Sequence, residues 1–419
     1  MKPFQLWIGF AALAALGGAV QAQLVPPVQV PPVGGVIGGV GQTGRDVLDT
    51  ATGAVDDVRT SARDLAGARL RRLEDLVRRN PDLLEMTDLG PAVRGEVVAV
   101  DPDSSTISAA EAAGFVRREE TRLEGLDIRA VTFQVPRGWS VDRALSRLRR
   151  IAPDATFTAN HLHGQSGEVA GGGGALTQGS AGPGAIGLID GGVAAHPALR
   201  GPVRQQGFVR GAPWPSAHGT AVASLISGQG SVRGAAPGAP LLVADIFGVD
   251  PAGGNAVALV RALGWLAQQR VQVVAVSLVG PANALVARAV AQARARGMFI
   301  VAAVGNDGRA APPAYPASYD GVIAVTGVDA RNRPLIEAGR ALHLDYAAPG
   351  ADMAAAGANG RLVPVRGTSY AVPFVAGRLS QHLGRPNPIA ALDAEANPRG
   401  RGLGRGVICG DCRTPRRRD

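Results

Sequence analysis

Three short segments carry side chains that together could break an acyl bond. Ile186-Gly187-Leu188-Ile189-Asp190-Gly191-Gly192 ends an apolar strand on a carboxylate, and glycines follow to turn the chain. His218-Gly219-Thr220-Ala221-Val222-Ala223-Ser224 opens a helix on an imidazole, with small residues behind it for close packing. Gly367-Thr368-Ser369-Tyr370-Ala371-Val372-Pro373 opens another helix on a hydroxyl, after a glycine that permits an unusual backbone. A serine hydroxyl is a weak nucleophile until a base takes its proton. His218 is the candidate base, because imidazole titrates near neutral pH. Asp190 would accept the other ring N–H, fix the tautomer and stabilise the imidazolium. The helix start under Ser369 offers a backbone N–H and a positive dipole end to a developing oxyanion. Asn306, at the end of the buried run Val301-Ala302-Ala303-Val304-Gly305-Asn306-Asp307, is placed to give a second donor. Alone, each residue has a bland reading as a turn, cap or packed side chain. Their combination, each in the required strand-end or helix-start context, points to chemistry.

These positions need a rigid frame, and the text from Ala185 onward supplies one. Apolar runs at Ala185–Ile189, Leu241–Ile246, Val271–Ser277, Met298–Val304 and Val322–Val328 read as strands. Helical patterns at about 255–269 and 282–296 lie between them. Strands this continuously apolar are buried on both faces, which predicts a doubly wound α/β fold with a mostly parallel sheet. Functional groups then collect at the C-terminal ends of the strands. Residues 91–163 predict a small α+β domain. It has strand candidates at Glu96–Val100, 128–135 and Thr156–Ala159, a helix at Ala109–Ala113 and another capped by Ser140. The order strand, helix, strand, strand, helix, strand suits a ferredoxin-like sandwich. A Gly-rich linker is expected over 164–183, and an Arg-rich tail with a cysteine pair over 389–419.

Residues 1–22 read as a signal peptide: Lys2, an apolar run from Leu6 to Ala19, then small residues for cleavage after Ala22. A Pro/Gly-rich linker follows over 23–44, then an amphipathic helical segment within 45–90 that ends at Asn80-Pro81. The apolar face of that segment is expected to pack on a neighbour rather than on a membrane. An exported protein, periplasmic or extracellular, with no later membrane span is the expectation. The net charge of +9 is concentrated in Arg69–Arg79 and Arg399–Arg418, outside the expected catalytic core. It reads as solvated surface, with no nucleic-acid partner. Cys409 and Cys412 predict a local disulfide in an oxidising compartment.

The motifs in the order Asp, His, Asn, Ser resemble the subtilisin-like serine peptidases, the subtilases, over about residues 184–384. Tyr315-Pro316-Ala317, Ala347-Ala348-Pro349-Gly350 and Gly234-Ala235-Ala236-Pro237 resemble further segments of that family. The resemblance implies Asp190, His218 and Ser369 as triad, Asn306 as oxyanion donor, peptide substrates, and an inhibitory propeptide in the domain before the linker. Self-cleavage between about His161 and Gly182 is then expected. Ser277-Leu278-Val279-Gly280 resembles the strand lining the first specificity pocket; Val279 stands where glycine is usual, which predicts small residues before the cut bond. Asp190-Gly191-Gly192 departs from the usual Asp-Thr/Ser-Gly, and Tyr370 and Phe374 depart from a common Met and His. No cofactor is required by this chemistry, and no dense acidic run marks a calcium site, so structural calcium stays undecided. Two other readings stay open: a catalytically silent binding module of the same fold, and an esterase or amidase with the same triad. All four catalytic positions are filled, which opposes the first. The Gly-x-Ser-x-Gly elbow of α/β-hydrolases is missing around Ser369, which opposes that version of the second.

Overall fold

The computed structural model describes residues 64–65, 67–166, 174–177, 179–180, 184–398 and 400–415. The expected signal peptide, the 23–44 linker and most of the 45–63 helical pattern lie outside the described residues. A helix over 67–79, α1, stops at Asn80-Pro81 as the sequence predicts. Leu76 and Val77 of α1 pack against the cluster of Leu84, Leu162 and Ala252, so its apolar side does meet a neighbour.

An antiparallel sheet follows. It holds β1 (Leu84–Thr87), β2 (Gly90–Val100), β3 (Val116–Leu123), β4 (Ile128–Gln134) and β5 (Thr156–His161), with helices α2 (Ser104–Ala112) and α3 (Val141–Ile151). The pairings run β5-β2-β4-β3, with β1 on β2, which is the arrangement the element order predicts. Helix α2 starts earlier than the Ala109–Ala113 expectation, because Asp103 caps it by accepting from the Thr106 N–H at 2.7 Å. Ser140 caps α3 as foreseen. One face of the sheet packs Val97, Ala99, Val131, Phe133 and Phe157 on Ile107, Leu145 and Leu148. The other face, with Val98, Val100, Ile128 and Ala130, joins a cluster shared with the second half of the chain.

Beyond β5 the chain enters β6 (Gly164–Gln165), then β7 (Ile186–Asp190), β8 (Val203–Gly207), α4 (Ala217–Ser227), β9 (Leu241–Asp245) and α5 (Ala256–Gln268). It continues through β10 (Val273–Val276), β11 (Leu278–Val279), α6 (Ala284–Ala295), β12 (Phe299–Ala303) and β13 (Ile323–Val328). The last elements are β14 (Tyr346–Pro349), β15 (Met353–Ala356), β16 (Leu362–Val365), a 3₁₀ turn at Thr368–Tyr370, α7 (Val372–Ser380) and α8 (Pro388–Glu395). Seven strands form a parallel sheet in the order β14-β13-β12-β10-β7-β9-β8. Helices α4 and α7 cover one face, and α5 and α6 the other. Strand order reverses between β7 and β10, the kind of point where α/β sheets bind ligands.

Two expectations need correction. Residues 164–166 are not linker: β6 pairs antiparallel with β11, Gly164 opposite Val279 and Gln165 opposite Leu278. Glycine content hid this strand, because backbone pairing needs no apolar side chain. Nor is the segment after 389 merely a solvated tail. Ile408 is buried in the core below α7, and its N–H donates to the Ala347 carbonyl at 2.8 Å. Arg405 pairs with Asp345 and Asp393, so part of the basic excess is structural. Cys409 and Cys412 form the predicted disulfide.

Candidate active site

Three elements converge at the C-terminal end of the parallel sheet. Asp190 ends β7, His218 lies in the first turn of α4, and Ser369 sits in the 3₁₀ turn before α7. All three are buried. His218 Nδ1 lies 2.9 Å from both carboxylate oxygens of Asp190, and Nε2 lies 3.0 Å from Ser369 Oγ. The Gly191 N–H also donates to Asp190 Oδ1 at 2.7 Å, which holds the carboxylate toward the ring. The Asp-Gly-Gly departure has a steric cause: a Cβ at Gly191 would lie 2.5 Å from the Ser216 Cβ. Ser216 is needed there, because its Oγ caps α4 by accepting from Gly219 at 3.1 Å. Gly367, at φ 141°, adopts a backbone that side-chain-bearing residues rarely take, and so aims the turn carrying Ser369. Tyr370 packs its ring 5.3 Å from the His218 ring, which gives the second departure a positioning contact.

Asn306 faces the same point. Its Oδ1 accepts from the Thr368 N–H at 2.9 Å, leaving Nδ2 to donate. The acceptor is the Ser166 carbonyl oxygen, at 2.6 Å. The Ser369 N–H reaches that oxygen as well, at 3.2 Å. Ser166 N–H donates to the Ser277 carbonyl at 3.3 Å, and Ser277 Oγ donates to the Ser369 carbonyl at 3.0 Å. Gln165 Nε2 donates to Asp190 Oδ1 at 2.9 Å. A carbonyl of the chain's own segment thus sits in the donor pair beside the Ser–His pair. That is the geometry of a bound acyl group awaiting attack.

The structure brings together every predicted site residue: the triad, Asn306, and the Ser277-Leu278-Val279 wall with which β6 pairs. Sequence reasoning missed Gln165 and Ser166, which carry no motif. It also missed Asp245, paired with Asp190 across the sheet. Asp245 accepts from the Trp214, Phe247 and Gly248 N–H groups at 2.7, 2.9 and 2.9 Å and so ties down two loops beside the site. Burial pushes its carboxyl pKa up, with the Asp190 charge adding to the rise. Among the described residues no group of three or more His, Cys, Asp or Glu is disposed to hold a metal ion.

The sequence profile of the subtilase family matches residues 185–389. Subtilisin BL of Lederbergia lenta is 33% identical over 201 residues, 46% of this chain and 73% of that protein. The major intracellular serine protease of Bacillus subtilis is 33% identical over 172 residues, 39% of this chain. The match spans about half of that relative's length, 54%. Fervidolysin from Fervidobacterium pennivorans, described as a keratinolytic enzyme related to subtilisin, aligns with a TM-score of 0.62 at 19% identity. That alignment covers 78% of this chain and 62% of fervidolysin, and it speaks for the fold alone. The chain belongs to the subtilase family of serine peptidases.

Proposed function

We propose that this protein is an exported serine endopeptidase, made as a zymogen that cuts itself between Ser166 and Gly167. The reading rests on one observation above others: the Ser166 carbonyl accepts from Asn306 Nδ2 and from the Ser369 N–H, beside the Ser369–His218–Asp190 array. In this scheme Ser369 Oγ adds to the Ser166 carbonyl carbon while His218 Nε2 takes its proton. Asn306 Nδ2–H and the Ser369 N–H hold the oxyanion. The C–N bond then breaks, and His218 returns the proton to the Gly167 amine. An ester between Ser369 and Ser166 remains. Water, deprotonated by His218, adds to that ester and releases the Ser166 carboxylate. No step calls for a metal or cofactor.

The residue before the cut bond is small, in keeping with the Val279 expectation. A Cβ at Gly305 would lie 3.5 Å from Val279 Cγ1 and 3.7 Å from Ala314 Cβ, so both side chains stand beside the glycine that precedes Asn306. Peptide substrates would extend β11 as β6 does, through backbone hydrogen bonds. Export follows from the apolar start before Ala22; periplasm and medium fit it equally. Fluorophosphonate labelling of the purified protein, with casein as substrate, tests the reading. Labelling at Ser369 with casein cleavage supports it; neither, in a folded protein freed of its N-terminal domain, returns the chain to the class of silent binding modules.

A further inference from the structure

Helix α1 stands outside the sandwich that follows it, and none of its residues belongs to that domain's core cluster. It reaches the catalytic half instead. Arg69 Nε lies 3.0 Å from Asp307 Oδ2, and Arg72 Nη2 lies 2.6 Å from Asp307 Oδ1. Spaced by three, the two arginines share one helix face. Asp307 directly follows the oxyanion donor Asn306, and its side chain is 20% exposed. One turn further along, Leu76 and Val77 close on Leu162, four residues before the bond to be cut. Between helix and groove lies a cavity of about 1090 Å³, lined by Leu73, Leu76 and Met86 on one side and by Ser166, Gly280 and Tyr315 on the other. The helix therefore touches the rim at Asp307 and the bound segment at Leu162, while leaving β6 to the groove itself.

We infer that the rim around Asp307 is a second docking surface, separate from the substrate strand, and that its partner is the chain's own Arg69/Arg72 helix, which straps the N-terminal fragment over the cleft after the Ser166–Gly167 bond is broken. The strap rests on the self-processing reading above, but the docking surface does not. Cutting that bond removes the covalent tether, and the fragment is then held by contacts alone. Partly exposed ion pairs are individually weak and screened by salt. Two on one carboxylate are worth on the order of tenfold in retention at low salt. A carboxylate beside the oxyanion hole and a basic helix face are complementary, so this hold is tunable by ionic strength whereas the β6 pairing is not.

The test uses the full chain with Arg69→Gln and Arg72→Gln, which leave every residue of the catalytic half intact. Amide exchange is compared on the Ser369→Ala background, where no cut occurs. We expect peptides covering 67–79 and 305–315 to exchange about tenfold faster in the double variant at low salt, and the two proteins to coincide at about 1 M salt. Equal exchange at low salt overturns the docking surface. In the self-cutting chain, the same variant should cut itself at the unaltered rate and shed its fragment at about tenfold lower dilution. Equal shedding overturns the strap. A wild-type chain that never cuts itself counts against the peptidase reading, while the exchange comparison still decides the docking surface.

Discussion

The two halves of this protein hold themselves together by different means. The catalytic half buries Asp190, His218 and Ser369 at 0, 2 and 0% exposure, beside a sheet covered by helices on both faces. The N-terminal half has its own core, and it meets the catalytic half through an apolar sheet face, Val98, Val100, Leu123, Leu126, Ile128 and Ala130, edged by polar contacts. Arg261 pairs with Glu119 and Arg288 with Asp101 at the surface. Val257 N–H donates to Asn160 Oδ1 at 3.1 Å, and Asn283 Nδ2 donates to the Ala159 carbonyl at 2.9 Å. These polar contacts can be handed back to water at small net cost, whereas parting the halves also exposes the shared apolar face. Under the self-processing proposed above, the core cluster beneath α4 and α7 stays whole in the catalytic half, while the N-terminal half gives up its share of the one beneath α5 and α6.

The sharpest way to separate the halves is Ser369→Ala. Turnover should fall by about 10⁶, a magnitude measured in subtilisin and carried over here, and self-cleavage should stop. Casein assays and denaturing gels of the purified chain check both. Next comes Asn306→Ala, which removes one donor to the Ser166 carbonyl and, under the proposed mechanism, should cost about 10²–10³ in kcat, again a subtilisin magnitude. Substrate affinity should change far less.

The contact between halves should respond to pH. Burial pushes His161 and His163 down from 6.5 to about 4. A histidine depressed in the folded complex stabilises it fully above pH 6.5, and that contribution is lost as pH falls toward 4. Each shift is on the order of 3 kcal/mol. The cut fragment should therefore dissociate at least about a hundredfold more readily near pH 4 than at neutral pH. His161→Gln with His163→Gln should flatten that dependence, as read by fragment retention on a sizing column. A smaller effect is expected at the pocket. Ser166→Phe replaces the small residue before the proposed cut bond and tests the preference expected from Val279, so self-cleavage should slow by about tenfold. Cleavage of added peptides by any enzyme that does mature should be unchanged.

The catalytic frame was legible because its physics is written in composition. Runs such as Val273–Val276 and Ile300–Ala303 must be buried on both faces, and only a parallel sheet under helices does that. Asp190, His218, Asn306 and Ser369 each carried a strand-end or helix-start context. What stayed hidden is held by backbone or by surface charge. Strand β3, Val116-Arg-Arg-Glu-Glu-Thr-Arg-Leu, is an exposed edge whose charges mask its alternation. Strand β8 is likewise an edge, with Arg204 and Gln206 turned outward. Strand β6 pairs through glycine and glutamine main chain, so no side-chain pattern announces it. The link between Arg69, Arg72 and Asp307 spans more than half the chain, and sequence spacing carries no trace of it.

Intact-mass analysis of wild-type and Ser369→Ala protein tests the central claim most directly. The account predicts a wild-type catalytic fragment beginning at Gly167, and a Ser369→Ala chain still joined through Ser166. A wild-type protein left whole, or the same cut appearing in the Ser369→Ala chain made without other peptidases, would contradict it.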